Sequence, residues 1–185
     1  MATVQRVNFE LQSDLIPVVR RNFPLATPAL LDPYNANCLI DGEWMVVNDA
    51  QKMLRATDIG TAGLKAFNGS NKVTSYVLFA ERGRTDAQAI RSNTILYGGW
   101  YEAETRIFDP AAKSSGGADA QYPAISFVGQ ALQVATILLG TRLLSGLVGA
   151  DINDFGTYHP IIVGYVTRLS TTNGGKLRYQ AGYRR

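Results

Sequence analysis

Cysteine and histidine are almost absent from this sequence, since each occurs once, as Cys38 and His159. A single cysteine cannot form an internal disulfide, so no disulfide framework supports the fold, and we expect Cys38 to be a buried thiol. Any catalytic triad or histidine-containing metal site would have to use His159, which precedes Pro160 and is expected to be structural. With only one cysteine and one histidine, the chain cannot have a disulfide-rich fold or a site built from several histidines or cysteines.

The common catalytic signatures are also absent. The sequence has no G-x-S-x-G elbow, C-x-x-C pair, H-E-x-x-H motif, dinucleotide-binding fingerprint or P-loop. Asp151, Asn153 and Asp154 offer oxygen ligands for Ca²⁺, but their spacing lacks the glycine and the distal glutamate of an EF-hand loop, which favours a polar turn. We therefore predict a protein with no catalytic residues, no metal and no cofactor.

One pair of carboxylates needs separate consideration. Glu102 and Glu104 are two residues apart on a predicted strand, roughly 7 Å from one another, which is within the range of an inverting glycosidase pair. Arg106 continues the same strand face, however, and a row of solvated charges explains the pattern without any chemistry. We favour the charge row over a small hydrolase.

Charged residues are few, at 18% of the chain, while hydrophobic residues make up 46%. This composition is typical of a globular domain with much uncharged surface that can lie against a partner. The net charge of +3 is too small to indicate a nucleic acid or membrane partner by itself. No carboxylate side chain follows Asp154, so the carboxyl end is locally basic. Its cations are Arg168, Lys176, Arg178, Arg184 and Arg185.

The amino-terminal residues lack the basic start and apolar core of a signal peptide, so we expect the product to stay in the cytoplasm where it is made. The most hydrophobic window is 131–150. Arg142 near its middle disfavours a membrane span, so we interpret this window as core. Periodicity leaves open whether residues 131–138 and 141–147 form two core strands or one broken helix.

The first 37 residues contain four prolines, which disfavour long helices and central strands. We predict an extended N-terminal arm over residues 1–37, with short strands at 4–11 and 15–20 that can pair with another chain instead of their own domain. Its apolar side chains need burial, and Arg20 and Arg21 are expected to meet acidic partners. The predicted partner-binding residues are Val4, Phe9, Leu11, Leu15, Ile16, Val18, Val19, Arg20 and Arg21.

The main domain is predicted over residues 38–185 and begins with a hairpin signal. Asp41-Gly42 separates the segments 38–40 and 43–47, which are apolar apart from Glu43, and this dipeptide suits a tight primed turn. A second turn leads to a further strand at 52–56.

Later segments are also typical of strands. The run 73–80 is rich in β-branched and aromatic residues, 100–108 alternates apolar and polar positions, and 161–169 with 176–181 predicts a closing hairpin. Closely spaced strands without regular helices between them predict a mainly β fold, a small antiparallel β-barrel or sandwich with at most one or two short helices, one of them at 85–92.

Three stretches together resemble the capsid-decoration, or cement, proteins of tailed bacteriophages. They are Asp41 to Asn48 with Lys52 to Ala56, Phe79 to Asp86 with Gly98 to Thr105, and Ile162 to Arg168 with Gly174 to Arg178. The resemblance implies a β-barrel or sandwich, often trimeric, that lies on the outside of the phage head and bridges neighbouring major-capsid subunits. It implies a structural virion protein made in the host cytoplasm, and it supplies no catalytic or capsid-contact residues to carry over.

Two alternatives stay open. One is a single-stranded nucleic-acid-binding β-barrel that uses the basic carboxyl end, where cations and aromatics are mixed. Its residues would be Arg178, Tyr179, Tyr183, Arg184 and Arg185. Such binding would weaken steeply with salt. The other is a structural component of the tail or baseplate. The sequence indicates no membrane partner.

Overall fold

In the computed structural model the described residues form β-strands, turns and loops, and none of them is in a helix. The structure describes residues 9–26, 39–47, 50–55, 75–78, 94–111, 113–114, 121–150, 162–170 and 175–183. Within these ranges no helix is long and apolar enough to cross a membrane. The prediction of a mainly β, barrel-like or sandwich-like fold is confirmed.

The described residues form eleven strands, nine of which belong to one curled antiparallel sheet. In chain order the strands are β1 (Phe9–Asn22), β2 (Trp44–Val47), β3 (Met53–Arg55), β4 (Ser75–Leu78), β5 (Thr94–Thr105), β6 (Lys113–Ser114), β7 (Gln121–Tyr122), β8 (Ala131–Leu139), β9 (Arg142–Gly149), β10 (Gly164–Arg168) and β11 (Leu177–Tyr183). The short strands β6 and β7 pair with each other apart from the large sheet.

Strand β5 is the centre of the sheet. One of its edges is covered along its whole length by β1, from the pair Asn22 and Thr94 to the pair Phe9 and Thr105. The other edge is shared, because β4 pairs at Ile95 and Leu96, whereas β11 pairs from residue 99 onward. The backbone φ of Gly99 is +99°, a conformation that favours glycine, at the point where the partner strand changes.

Beyond β11 the sheet continues through β10 and β8 to β9, and β9 then returns to the chain just after β5. The backbone N–H of Leu147 donates to the carbonyl oxygen of Ile107 at 3.0 Å, and the N–H of Asp109 donates to that of Leu147 at 2.9 Å. Phe108 and Leu147 form a parallel bridge between these two bonds. A short parallel contact therefore joins β9 to the chain that follows β5.

The alternation predicted for residues 100–108 holds from Tyr101 to Thr105, where it sets the inner face of β5, but Glu104 on the other face is also buried. Tyr101, Ala103 and Thr105 are buried, whereas Glu102 and Arg106 are half-buried on the outer face. Inside the curl the ring of Tyr179 lies 6.3 Å from the ring of Tyr101 and 6.3 Å from the indole of Trp44, measured between centroids. Such aromatic pairs contribute about 0.5 to 1.5 kcal/mol each beyond their area burial.

The hydrophobic window 131–150 is a hairpin of two strands, β8 and β9, which settles the choice between strands and helix. Gly140, with φ of +64°, takes the position that glycine favours in a two-residue primed turn. Only Ala131 and Leu132 of β8 pair with β10, so within the described residues the rest of the hairpin extends past its neighbouring strand. One hairpin face is buried on a cluster that contains Ile40, Ile107, Tyr122, Ala135, Ile137, Leu144 and Val148.

Strand β1 differs from the expectation that the proline-rich segment pairs with another chain, because its residues pair with β5 of the same chain. Phe9 is only 4% exposed in the main core cluster. Pro17 is accommodated because β1 pairs with one strand only among the described residues, and the pairing register shifts between Ile16 and Val19. The predicted arm boundary at residues 37 and 38 lies outside the described residues, together with Cys38, and stays a prediction.

The chain after β1 covers the edge of β3. The backbone N–H of Met53 donates to the carbonyl oxygen of Pro24 at 2.7 Å, and the N–H of Ala26 donates to that of Met53 at 2.8 Å. Phe23 and Leu25 are buried in a second core cluster with Met53. Residues 9–26 therefore contribute side chains to two core clusters of the domain.

The turn predicted at Asp41-Gly42 is present, but the strand predicted before it is not. Gly42 alone of the pair has positive φ, and the N–H of Glu43 donates to the carbonyl oxygen of Ile40 at 3.3 Å. Leu39 and Ile40 are buried in two different core clusters instead of pairing with β2. The β2–β3 and β10–β11 hairpins are confirmed, and the helix predicted at 85–92 lies outside the described residues.

The side chain of Glu43 is fully buried at 0% exposure, where a carboxylate requires hydrogen-bond partners. Its Oε1 lies 2.8 Å from Nε of Arg55 and accepts from the backbone N–H of Ser145 at 3.3 Å. Its Oε2 accepts from Nη2 of Arg55 at 3.2 Å and from the N–H of Ile40 at 3.0 Å. One carboxylate thus joins the turn before β2, strand β3 and strand β9.

Replacing Gly146 tests the packing of the hairpin on the end of β5. A Cβ at this position would meet the side chain of Ile137 and lie 2.9 Å from the carbonyl oxygen of Ile107. We expect Gly146→Val to lower the free energy of unfolding in urea by about 1 to 3 kcal/mol, as overpacked cores do. Gly140→Asn is the control, because a Cβ there meets nothing within 4 Å and asparagine tolerates positive φ. Equal losses of unfolding free energy in the two variants would contradict the packing of the β8–β9 hairpin on the chain just after β5.

Removing Arg55 tests the buried ion pair through its pH dependence. Burial, opposed by the charge of Arg55, raises the pKa of Glu43 above its ordinary value of 4.5. The stability that this carboxyl contributes is therefore fully present below that value and is lost as the pH rises through the raised pKa. We expect Arg55→Met to lower the free energy of unfolding by about 3 to 5 kcal/mol at neutral pH, and by less in acid, where Glu43 is protonated.

Urea titrations of wild type and variant across acidic and neutral pH measure this difference. Lys52→Met is the control, since the side chain of Lys52 is exposed beside β3 and its loss is expected to cost about 0.5 kcal/mol or less. A loss in Arg55→Met of the same size at every pH would contradict the account of Glu43.

Candidate partner-binding surface

The arm residues predicted to bind a partner differ in their surroundings, since some lie in the core of the domain and others do not. Phe9 is part of the main core cluster and Leu11 packs against it, so both are used inside the chain. Arg21 is exposed and already has an interaction within the chain. The remaining predicted residues within β1 are Leu15, Ile16, Val18, Val19 and Arg20. Val4 lies outside the described residues. The partner role of the arm stays a prediction.

Several sequence candidates fall outside the part of the chain that the structure describes. They are His159, Asp151, Asn153, Asp154, Arg184 and Arg185. Within the described ranges, no group of three or more His, Cys, Asp or Glu residues is placed to hold a metal ion.

The two carboxylates considered for catalysis have different surroundings. Glu102 accepts a hydrogen bond from the hydroxyl of Thr167 at 2.8 Å. Glu104 is only 6% exposed although it lies on the outer face of β5, because cations of β10, β11 and the turn before β11 cover it. Nη2 of Arg178 lies 3.0 Å and Nζ of Lys176 lies 3.2 Å from its two oxygens, and Arg168 forms a third ion pair.

The electrostatics of Glu104 follow from this arrangement. Its partial burial opposes ionisation, but hydrogen bonds from Arg178 and Lys176 and the charge of Arg168 outweigh burial and lower its pKa below 4.5. A glycosidase pair of this kind requires one carboxyl group that is protonated near neutral pH. The geometry therefore supports the charge row, with the difference that Glu104 is covered rather than solvated.

At Glu104 the charge row along β5 is crossed by charged residues of three other strands on the outer face. Glu10 of β1 and Arg178 of β11 lie opposite Glu104 of β5, and Arg168 of β10 lies opposite Arg178. Nζ of Lys176 also lies 3.7 Å from a carboxylate oxygen of Glu10. Three cations of the basic carboxyl end are thus paired with carboxylates from earlier in the chain.

Large apolar side chains are exposed at two places on the domain, and neither was predicted from the sequence. The first place, named here the loop patch, combines the turn before β8 with the segment that leads into and begins β10, which a hydrogen bond between Gly129 and Val166 joins. Its members are Phe127, Val128, Ile162 and Tyr165, between 41% and 60% exposed. The second place, named here the hairpin tip, consists of Leu138 and Leu143, at 50% and 54%. Exposed apolar groups in clusters are typical of interaction sites.

The loop patch is held in place by Gln130, whose side chain is buried. Its Oε1 accepts from the N–H of Ser126 at 2.8 Å, and its Nε2 donates to the carbonyl oxygen of Ala124 at 2.8 Å. The N–H of Gly129 then donates to the carbonyl oxygen of Val166 at 2.7 Å, which fixes the turn on β10. Phe127 and Val128 are therefore presented to solvent by a braced turn.

The hairpin tip owes its exposure to strand alternation. Leu138 and Leu143 lie directly opposite each other in the β8–β9 pair, so their side chains share one face. The neighbouring pair, Ile137 and Leu144, is on the other face and is buried. In sequence these leucines are part of a continuous apolar window, which gives no signal that one face would remain uncovered.

Comparison with known proteins identifies no relative, because no family model, no curated protein and no solved structure matches this chain.

Removing the charge of Glu104 tests its role in the charge row. We expect Glu104→Gln to lower the free energy of unfolding by about 1 kcal/mol at neutral pH, a modest value because its cations are partly exposed to solvent. Since the pKa of Glu104 is lowered, its contribution is present above pH 4.5 and is lost as the pH falls through the lowered pKa. The difference between wild type and variant should therefore shrink in acid.

The matched control is Glu102→Gln, which retains a hydrogen-bond acceptor for Thr167. Its effect is expected to stay within about 0.5 kcal/mol. Thermal and urea unfolding of both variants measure the two losses. A larger loss in Glu102→Gln than in Glu104→Gln would contradict the account of the charge row.

Proposed function

We propose that this protein is a structural virion protein that binds the outside of a phage capsid, where it bridges neighbouring major-capsid subunits and stabilises the head. The observation that carries this proposal is the pair of exposed apolar surfaces, the loop patch and the hairpin tip, on one β domain. A surface-binding role uses such groups directly, because burying apolar area in an interface is the main source of binding free energy.

A domain with two separate apolar surfaces, the loop patch and the hairpin tip, can contact two capsid subunits at once. The loop patch adjoins the start of β8 and the hairpin tip adjoins its end, so the nine residues of β8 separate them by roughly 25 Å at the rise of a strand. A protein that contacts two subunits at once raises the free energy needed to part them, and repetition around a shell multiplies that effect. Self-association as a trimer, as the resemblance implies, adds further contacts.

The nucleic-acid alternative has less support from the described residues. Tyr179, which was a candidate for base stacking, is fully buried in the core beside Trp44. Arg168, Lys176 and Arg178 are paired with Glu104, so part of the positive charge at this end is neutralised within the chain. A stacking platform requires exposed aromatics beside uncompensated cations. A tail or baseplate component would use the same apolar surfaces. The location of the protein on the particle distinguishes that alternative from a capsid-bound protein.

Co-sedimentation with empty heads of the phage that encodes this protein tests the proposal. We expect the wild-type protein to pellet with heads and to delay their disruption by heat, because it bridges subunits. Tyr165→Ser combined with Ile162→Ser should weaken attachment at least tenfold, since it removes about half of the loop patch. Glu102→Gln is the control and should bind as wild type does.

Two outcomes count against the proposal. The first is wild-type protein that does not sediment with heads. The second is tight binding to single-stranded DNA that falls steeply as salt increases, which would favour the nucleic-acid alternative.

A further inference from the structure

Three cations on the outer face of the sheet lie over one covered carboxylate, and we name Arg168, Lys176 and Arg178 the cation cluster. The side chain of Glu104 is only 7% exposed, whereas those of the cluster are 52%, 39% and 31% exposed in the same order. The cations therefore lie between Glu104 and solvent. A molecule that approaches this part of the face meets positive groups first.

The cation cluster keeps a positive charge after its internal ion pairs are counted. Nζ of Lys176 also lies 3.7 Å from a carboxylate oxygen of Glu10, so three cations face two carboxylates. Glu102 and Arg106 lie on either side of Glu104 along the chain, and their charges offset each other. One net positive charge therefore remains at the cluster.

The two arginines of the cluster also have N–H donors that Glu104 does not use. A guanidinium group carries five such donors. Among the described residues Arg168 donates through Nη2 alone, and Arg178 donates through Nε and Nη2, in each case to Oε1 of Glu104. Arg168 can therefore bind a second anion from the solvent side while it remains paired with Glu104.

A bulge in β10 places the cation cluster beside the loop patch. Tyr165 and Arg168 are three residues apart, a spacing that puts side chains on opposite faces of a regular strand. The pairing of β10 with β11 shifts after Val166, so that Tyr165 lies in line with Glu102 and Arg168 in line with Glu104, on the same outer face. Roughly 10 Å of strand therefore separates the cluster from a member of the loop patch.

We infer that the cation cluster binds acidic side chains of the capsid subunit that contacts this face of the domain. The inference rests on the proposed function for the identity of that partner. Arginine beside an apolar patch is typical of protein interfaces, where complementary charge sets the association rate and the choice of partner. One net positive charge suits a few carboxylates of a protein, whereas a groove for single-stranded nucleic acid tracks a whole phosphate backbone with many cations.

Changing the charge of Arg168 tests the inference, because Glu104 keeps two other cations when Arg168 is lost. In co-sedimentation with heads of the phage that encodes this protein, we expect Arg168→Gln to weaken attachment about threefold to tenfold at low salt, and Arg168→Glu to weaken it further. Both losses should shrink toward about 0.5 M salt, where charges are screened within a few ångströms. Arg168→Lys keeps the charge and should attach nearly as the wild type does.

Lys52→Glu is the matched control, since it changes the net charge as Arg168→Glu does, at an exposed position beside β3. It should attach to heads as the wild type does at every salt concentration. Urea unfolding measures the stability of each variant. Because Arg168→Lys and Arg168→Gln both remove the guanidinium, a loss of attachment in Arg168→Gln that Arg168→Lys restores reports the charge and not the fold.

The possible results separate the inference from the proposed function. Heads that bind the wild type, Arg168→Gln and Arg168→Glu equally would refute the acidic contact and leave the proposed function intact. Single-stranded DNA that binds the wild type and is released by Arg168→Gln would assign the cluster to nucleic acid and overturn the inference. A wild type that does not sediment with heads at any salt concentration would overturn both.

Discussion

The buried ion pair between Glu43 and Arg55 is the constraint on which the arrangement of this domain depends. A carboxylate with no exposure is stable only when its partners are in place, and those partners come from the turn before β2, from β3 and from β9. Its partner Ile40 belongs to one core cluster, and the adjacent Leu39 belongs to another. One polar interaction thereby fixes the β2–β3 hairpin against the β8–β9 hairpin.

A domain fixed in this way presents its surface groups with little freedom. Strand β5 pairs with β1 on one edge and with β4 and β11 on the other, and the bridge between Phe108 and Leu147 joins β9 to the chain after β5. Gln130 braces the turn that carries Phe127 and Val128. These hydrogen bonds restrict the turn, so less conformational entropy is lost on binding than for an unbraced loop, which suits the proposed role in attachment.

Sequence patterns predicted the fold class, the alternation of β5 and the closing hairpin, because each depends on local periodicity and turn residues. They did not predict the partners of β1, since pairing of Phe9 with Thr105 depends on the free edge of a strand that is distant in sequence. Nor did they distinguish Leu138 and Leu143 from Ile137 and Leu144, because all four are apolar neighbours and only tertiary packing decides which face is covered.

Electron microscopy of native phage particles tests most directly the proposal that this domain acts by attachment to a capsid. We expect density for the curled β domain on the outer surface of the head, between major-capsid subunits, with the loop patch and the hairpin tip buried in protein contacts. A particle in which the protein lies in the tail, or one in which both apolar surfaces face solvent on the head, would contradict it.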